Sequence, residues 1–303
     1  MKQLILISAL IILALVIIKD PVQKTGSSFT IVCTTNILAD TVKNICPSNI
    51  SVISLMGPGI DPHVYRARES DVRTLAHANV IIYNGLHLEG KMNDILEKMN
   101  QYVPVINASN RLTRGQLLET EVSDMHDPHI WHDVLLWMQI VTTICEELQK
   151  IDPSHAQEYR TNCTHYLAQL QQLHEYAQQR IALIPAEQRI LVTAHDAFKY
   201  FGNRYGVEVV GLQGTSTDAQ ISIKEITDLA DMISNKKIKA LFTESCIPVR
   251  TIQAVQQSVQ SRGWSVAIGP ELFADALGNP DESAGTYLGM IKHNVDVIVQ
   301  ALT

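Results

Sequence analysis

The chain has 303 residues, 46% of them hydrophobic, enough to bury a sizeable core as one large domain or as two lobes. A formal net charge of −7 without any Lys/Arg cluster excludes a nucleic-acid footprint. Five cysteines, Cys33, Cys46, Cys145, Cys163 and Cys246, form no C-x-x-C pair, so a zinc-cysteine centre is not supported. Each sits in an apolar pattern that suits a buried free thiol, and whether an oxidising compartment bridges two of them is left open.

Taken in chain order, Met1-Lys2, an apolar run from Leu4 to Ile18 and Lys19-Asp20-Pro21 have the charged start and length of a secretory signal. The expected location is therefore periplasmic or otherwise extracytoplasmic. No small-x-small cleavage site follows, and Thr30-Ile31-Val32 before Cys33 is not a lipoprotein signal. Residues 1–28 read as a signal or anchor segment with a linker. Removal, or retention of 4–18 as a short inner-membrane anchor at the membrane surface, both stay open.

From Phe29 onward, short β-branched runs alternate with helical stretches. Strands are expected at 30–33, 52–56, 79–83 and 103–106, and again at 190–193, 207–210, 240–243 and 265–268. This rhythm predicts an α/β fold of two similar (βα)4-type lobes, 29–151 and 186–303. Between them, 152–185 lacks glycine, with Asp152 as a cap, Pro153 in the first turn and Pro185 as the stop. Tyr166, Leu170, Leu173, Ala177, Ile181 and Ile184 recur at helical spacing. A single connecting helix of about 45 Å follows at 1.5 Å per residue, with the strand-end loops of both lobes facing a cleft between them.

Asp-Pro-His occurs twice, in Asp61-Pro62-His63-Val64-Tyr65 and Asp127-Pro128-His129-Ile130-Trp131. Proline restricts its own φ and the residue before it, so each histidine leaves its loop in a limited set of directions, as a metal ligand requires. His195 ends the apolar run 190–194, and Asp275 lies in Glu271-Leu272-Phe273-Ala274-Asp275. Three imidazoles and one carboxylate suit a four-coordinate zinc-like ion. Each has a plainer reading: His195 bonding a backbone group, Asp275 capping a helix. Glu244, also at a strand end, would either orient a ligand histidine or cap a helix. His126 reads as a solvent-facing neighbour of His129, and His132 as part of the next helix's first turn. His77, His87, His155, His165, His174 and His293 carry no ligand pattern.

Gly59-Ile60-Asp61-Pro62-His63, Asn84-Gly85-Leu86-His87-Leu88-Glu89, Asp127-Pro128-His129-Ile130-Trp131, 192–198 and Gly285-Thr286-Tyr287 resemble the metal-binding receptors of ABC-type zinc and manganese importers. The resemblance runs from Phe29 to the C-terminus. It implies two α/β lobes on one backbone helix and one divalent ion per chain, carried as cargo between the lobes by His63, His129, His195 and Asp275. Three histidines resemble the zinc-binding members, with manganese the second candidate, since manganese-favouring members usually have glutamate in place of His195. The implied partner is a membrane permease and the implied state a monomer without catalysis. An exported zinc hydrolase or lyase built on three histidines is the main rival. An adhesin or interaction module is the third reading. Asp275 separates the first two, because a carboxylate in the fourth position leaves no activated water.

Overall fold

The computed structural model describes residues 29–120, 122 and 124–303, so the apolar run at 4–18 lies outside the described residues. Among the described residues, no helix is long and apolar enough to cross a membrane.

The first four strands are β1 (Thr30–Cys33), β2 (Ser51–Ser54), β3 (Val80–Tyr83) and β4 (Val105–Asn107), with α1 (Asn36–Ile45), α2 (Glu69–Ala76) and α3 (Asn93–Met99) between them. They form one parallel sheet in the order β2-β1-β3-β4. β4 starts at Val105, two residues later than expected. Pro104 has no N–H to give the ladder, although its carbonyl still accepts from Ile81 at 2.9 Å. The chain then enters α4 (Val134–Ile151), capped by Asp133, whose Oδ1 accepts from the Leu135 and Leu136 N–H groups.

The connecting helix α5 spans Ala156–Ile181, 26 residues or about 39 Å, after a 3-10 turn at Pro153–His155. Asp152 does not cap it through backbone N–H groups as expected. Its carboxylate instead accepts from the Ser154 hydroxyl, His155 Nδ1 at 2.6 Å and Tyr159 Oη at 3.1 Å. The predicted stripe from Tyr166 to Ile184 is buried throughout.

Beyond it come β5 (Ile190–His195), α6 (Lys199–Tyr205), β6 (Glu208–Gln213), α7 (Ile223–Lys236), β7 (Ala240–Leu241), α8 (Arg250–Gln260), β8 (Ala267–Ile268) and α9 (Tyr287–Leu302). β5 pairs with β6 and β7 with β8, all parallel, and the Phe242 N–H to Val192 carbonyl bond (2.9 Å) joins the pairs. β7 and β8 are half their expected length. Past Leu241 the chain leaves β8 and pairs with Leu272: Leu272 N–H donates to the Thr243 carbonyl and Ser245 N–H to the Leu272 carbonyl. That switch carries Glu244 alongside the segment bearing Asp275. One continuous apolar core runs from β1, α1 and α4 through α5 to Phe242, Leu272 and α9.

Candidate metal centre

Three of the four candidate ligands sit on loops and one at a strand end. His195 is the last residue of β5, His63 lies in the loop after β2, His129 precedes a 3-10 turn at Ile130–His132, and Asp275 follows the Leu272 bridge. The structure brings them together: one donor atom from each lies within 4.8 Å of all the others. His129 and His195 are fully buried, Asp275 is 1% exposed and His63 is 6% exposed.

The spacing is that of ligands around a small ion. His63 Nε2 is 3.1 Å and His195 Nε2 3.4 Å from His129 Nε2. Asp275 Oδ2 lies 3.6 Å from His63 Nε2 and 3.3 Å from His195 Nε2, and Oδ1 lies 3.4 Å from His129 Nε2. A tetrahedral zinc with bonds of 2.0–2.1 Å separates its donors by about 3.3 Å, which matches. Both Asp275 oxygens are buried and face the three Nε2 atoms, so the carboxylate's charge is met there either by protonated imidazoles or by a cation held among them.

Carboxylates behind the rings fix how the imidazoles point. Asp127 Oδ1 accepts from His129 Nδ1 at 2.7 Å and from its main-chain N–H at 2.9 Å. Glu244 accepts from His195 Nδ1 with one oxygen and from its N–H (2.9 Å) with the other, so it orients an imidazole and caps no helix. With Nδ1–H so engaged, each Nε2 faces the centre, where an ion would replace any proton it carries. Burial pulls the His129 pKa down, but Asp127 and then Asp275 outweigh it and raise it to about 9. His195 is likewise raised well above its usual value, as Glu244 and Asp275 overcome burial. Burial wins at His63 and lowers it to about 3. Against its own burial, Asp275 is held well below the carboxylate range by His195 and His129.

Further residues hold this arrangement from behind. Trp131 Nε1 and His132 Nε2 both donate to the Ala274 carbonyl, at 2.8 and 3.0 Å, fixing the backbone beside Asp275. His132 is thus buried in the 3-10 turn, ahead of α4 and outside its first turn, because Asp133 caps that helix. Asn84 Nδ2 donates to the Pro128 carbonyl at 3.0 Å, and buried Glu89 accepts from Thr34 Oγ1 and the Asn84 and Gly85 N–H groups. Gly85 has φ +85°, and a Cβ there would meet Asn107 Oδ1 at 2.2 Å. The Asn84-to-Glu89 motif is therefore scaffolding under His129. Tyr200 Oη, from α6, donates to the Asp127 carbonyl at 2.9 Å.

His126 is half-buried, not solvent-facing, and with His87, Lys91, Met125 and Thr215 it lines a cavity of 340 Å³ that ends on His63. His77, His155, His165, His174 and His293 lie on helices or their turns away from the four ligands. All five cysteines are free, four buried and Cys246 half-buried.

A family model described as "Zinc-uptake complex component A periplasmic" (ZnuA) matches residues 31–301. The zinc-binding protein TroA of Treponema pallidum is 44% identical over 272 residues, covering 90% of this chain and 88% of that protein. The manganese-binding lipoprotein MntA of Bacillus subtilis is 40% identical over 272 residues, 90% of this chain and 89% of that one. The solved structure of the T. pallidum TroA protein superposes with a TM-score of 0.90 at 43% identity, covering 91% of this chain and all of that one.

Proposed function

The chain belongs to the ZnuA family of periplasmic zinc-uptake components, and on that premise we propose that it captures one divalent ion with His63, His129, His195 and Asp275 and delivers it to an ABC importer's permease. Relatives on either side of it are named for zinc and for manganese. The observation that carries the ligand set is the cluster of four buried donors at mutual distances suited to a tetrahedral ion, with both oxygens of a buried carboxylate facing the three Nε2 atoms. Three imidazoles favour zinc over manganese on intrinsic affinity. Lobes at 29–151 and 186–303, joined through 152–185, supply two ligands each. The protein acts as a monomer outside the inner membrane, and 1–28 directs export or tethers it there.

The same geometry argues against zinc hydrolysis. Asp275 fills the fourth position, so no water is held for activation. Elemental analysis of protein purified from its native compartment tests the reading: one zinc or manganese per chain is expected, lost in His63→Ala and in Asp275→Ala. Stoichiometric metal retained in both variants would place the ion elsewhere.

A further inference from the structure

The two Asp-Pro-His words are built alike and finished differently. In each, aspartate Oδ1 accepts from the histidine main-chain N–H at 2.9 Å, closing the same turn. Asp127 is fully buried and also bonds its own histidine's ring. Asp61 is half-buried, and its Oδ2 accepts from Thr217 Oγ1 at 2.6 Å, a residue 156 positions away on the loop after β6. Beside that contact, Asp218 pairs with Lys91 at 2.7 Å, and Cys246 Sγ lies 3.8 Å from the Ile60 carbonyl. The loop that delivers His63 is therefore held from the other lobe, through the carboxylate that sets the His63 backbone.

His63 is also the outermost ligand. It is the most exposed of the four, and it is the one that borders the 340 Å³ cavity. An ion leaving by that cavity passes His63, whose backbone is tied to Asp61 and through Asp61 to Thr217. What the Asp61–Thr217 contact sets is how firmly His63 is held in its ligating position, and so the hold on a bound ion.

We infer that Thr217 is a positioning residue for His63, setting how slowly the bound ion leaves and not how fast it is captured. The inference rests on the four-ligand reading above. A hydroxyl bond to a carboxylate is stronger than a neutral one, and its loss corresponds to about a tenfold faster release. Thr217 is half-exposed, so Thr217→Val removes the hydroxyl at little cost in packing.

Stopped-flow release of zinc into excess chelator, with zinc association measured separately, tests this. Thr217→Val should release zinc about tenfold faster with association within twofold of wild type, and Thr217→Ser, which keeps the hydroxyl, should release near the wild-type rate. Wild-type release from Thr217→Val overturns the assignment, and so does an equal acceleration in Thr217→Ser. Wild-type protein that takes up no zinc at all refutes the four-ligand reading and this inference with it.

Discussion

Loading the ion-free protein with zinc should expel about two protons near neutral pH, a number that follows from the carboxylates around the rings. Unperturbed imidazoles would be half neutral at about pH 6.5, and a site built from them would release little at pH 7.5. Here His129 is raised to about 9 by Asp127 and Asp275 against its burial, and His195 is raised well above its usual value by Glu244 and Asp275. Both therefore carry a second proton at pH 7, which the ion must displace from Nε2. His63, lowered to about 3 by burial, is already neutral, and Asp275 is already ionised, so neither contributes. Each displaced proton changes apparent affinity about tenfold per pH unit, so two give about a hundredfold per unit between pH 6 and 8. The sign is fixed: affinity rises with pH. The ion-free protein behaves in the opposite sense. The folded pKa of His129 lies above its unfolded value, so its contribution to stability is complete below about 6.5 and lost as pH climbs towards about 9. Calorimetric titration at pH 7 in buffers of different ionisation enthalpy counts the protons directly. Fewer than one released per zinc would refute the charge assignment on which this rests.

His63→Ala and His129→Ala should each abolish high-affinity zinc binding in a competition titration, whereas His126→Ala, at the cavity wall, should leave it within a few-fold. His132→Ala should lower the melting temperature and also weaken zinc binding, because the Ala274 carbonyl beside Asp275 loses one of its two donors; unchanged binding would show that this backbone needs no such support. Glu244→Gln should cost about 10- to 100-fold in zinc affinity by loosening the His195 ring. His195→Glu should lower the ratio of zinc to manganese affinity in a two-ion competition, and an unmoved ratio with binding intact would put His195 outside the ligand set. Zinc-loaded protein should hydrolyse ester and phosphate substrates no faster than free zinc, and turnover abolished by His195→Ala would revive the hydrolase reading.

Much of this arrangement was legible in the chain because it is locally encoded. A repeated Asp-Pro-His word carries both the histidine and the aspartate that turns its backbone, so His63 and His129 stand out without any structure. The apolar stripe of α5 is equally local. What escaped sequence reading depends on pairing across long separations. β7 and β8 are cut short because Thr243 and Ser245 bond Leu272, and that bridge decides that Glu244 serves His195 instead of capping a helix. His132 falls one element ahead of the helix its position suggests, because its bond to Ala274, 142 positions away, leaves no trace in the residues around it. The Asp133 cap offered the missing hint: a helix capped at 133 cannot contain residue 132.

The continuous core along α5 has a mechanical consequence. A receptor whose halves are joined by extended strands can swing wide at the expense of a few dihedral angles. Here α5 packs against α1, α4 and α9 within a single apolar mass. Every 100 Å² of that mass exposed by a wide swing costs about 2.5 kcal/mol. A wide swing of the frame is therefore costly, which points cargo traffic to the short loops at its rim, those bearing His63, Thr217 and Cys246. Such a carrier would barely change its radius of gyration between empty and loaded, and a permease would tell the two apart by the shape of a few loops.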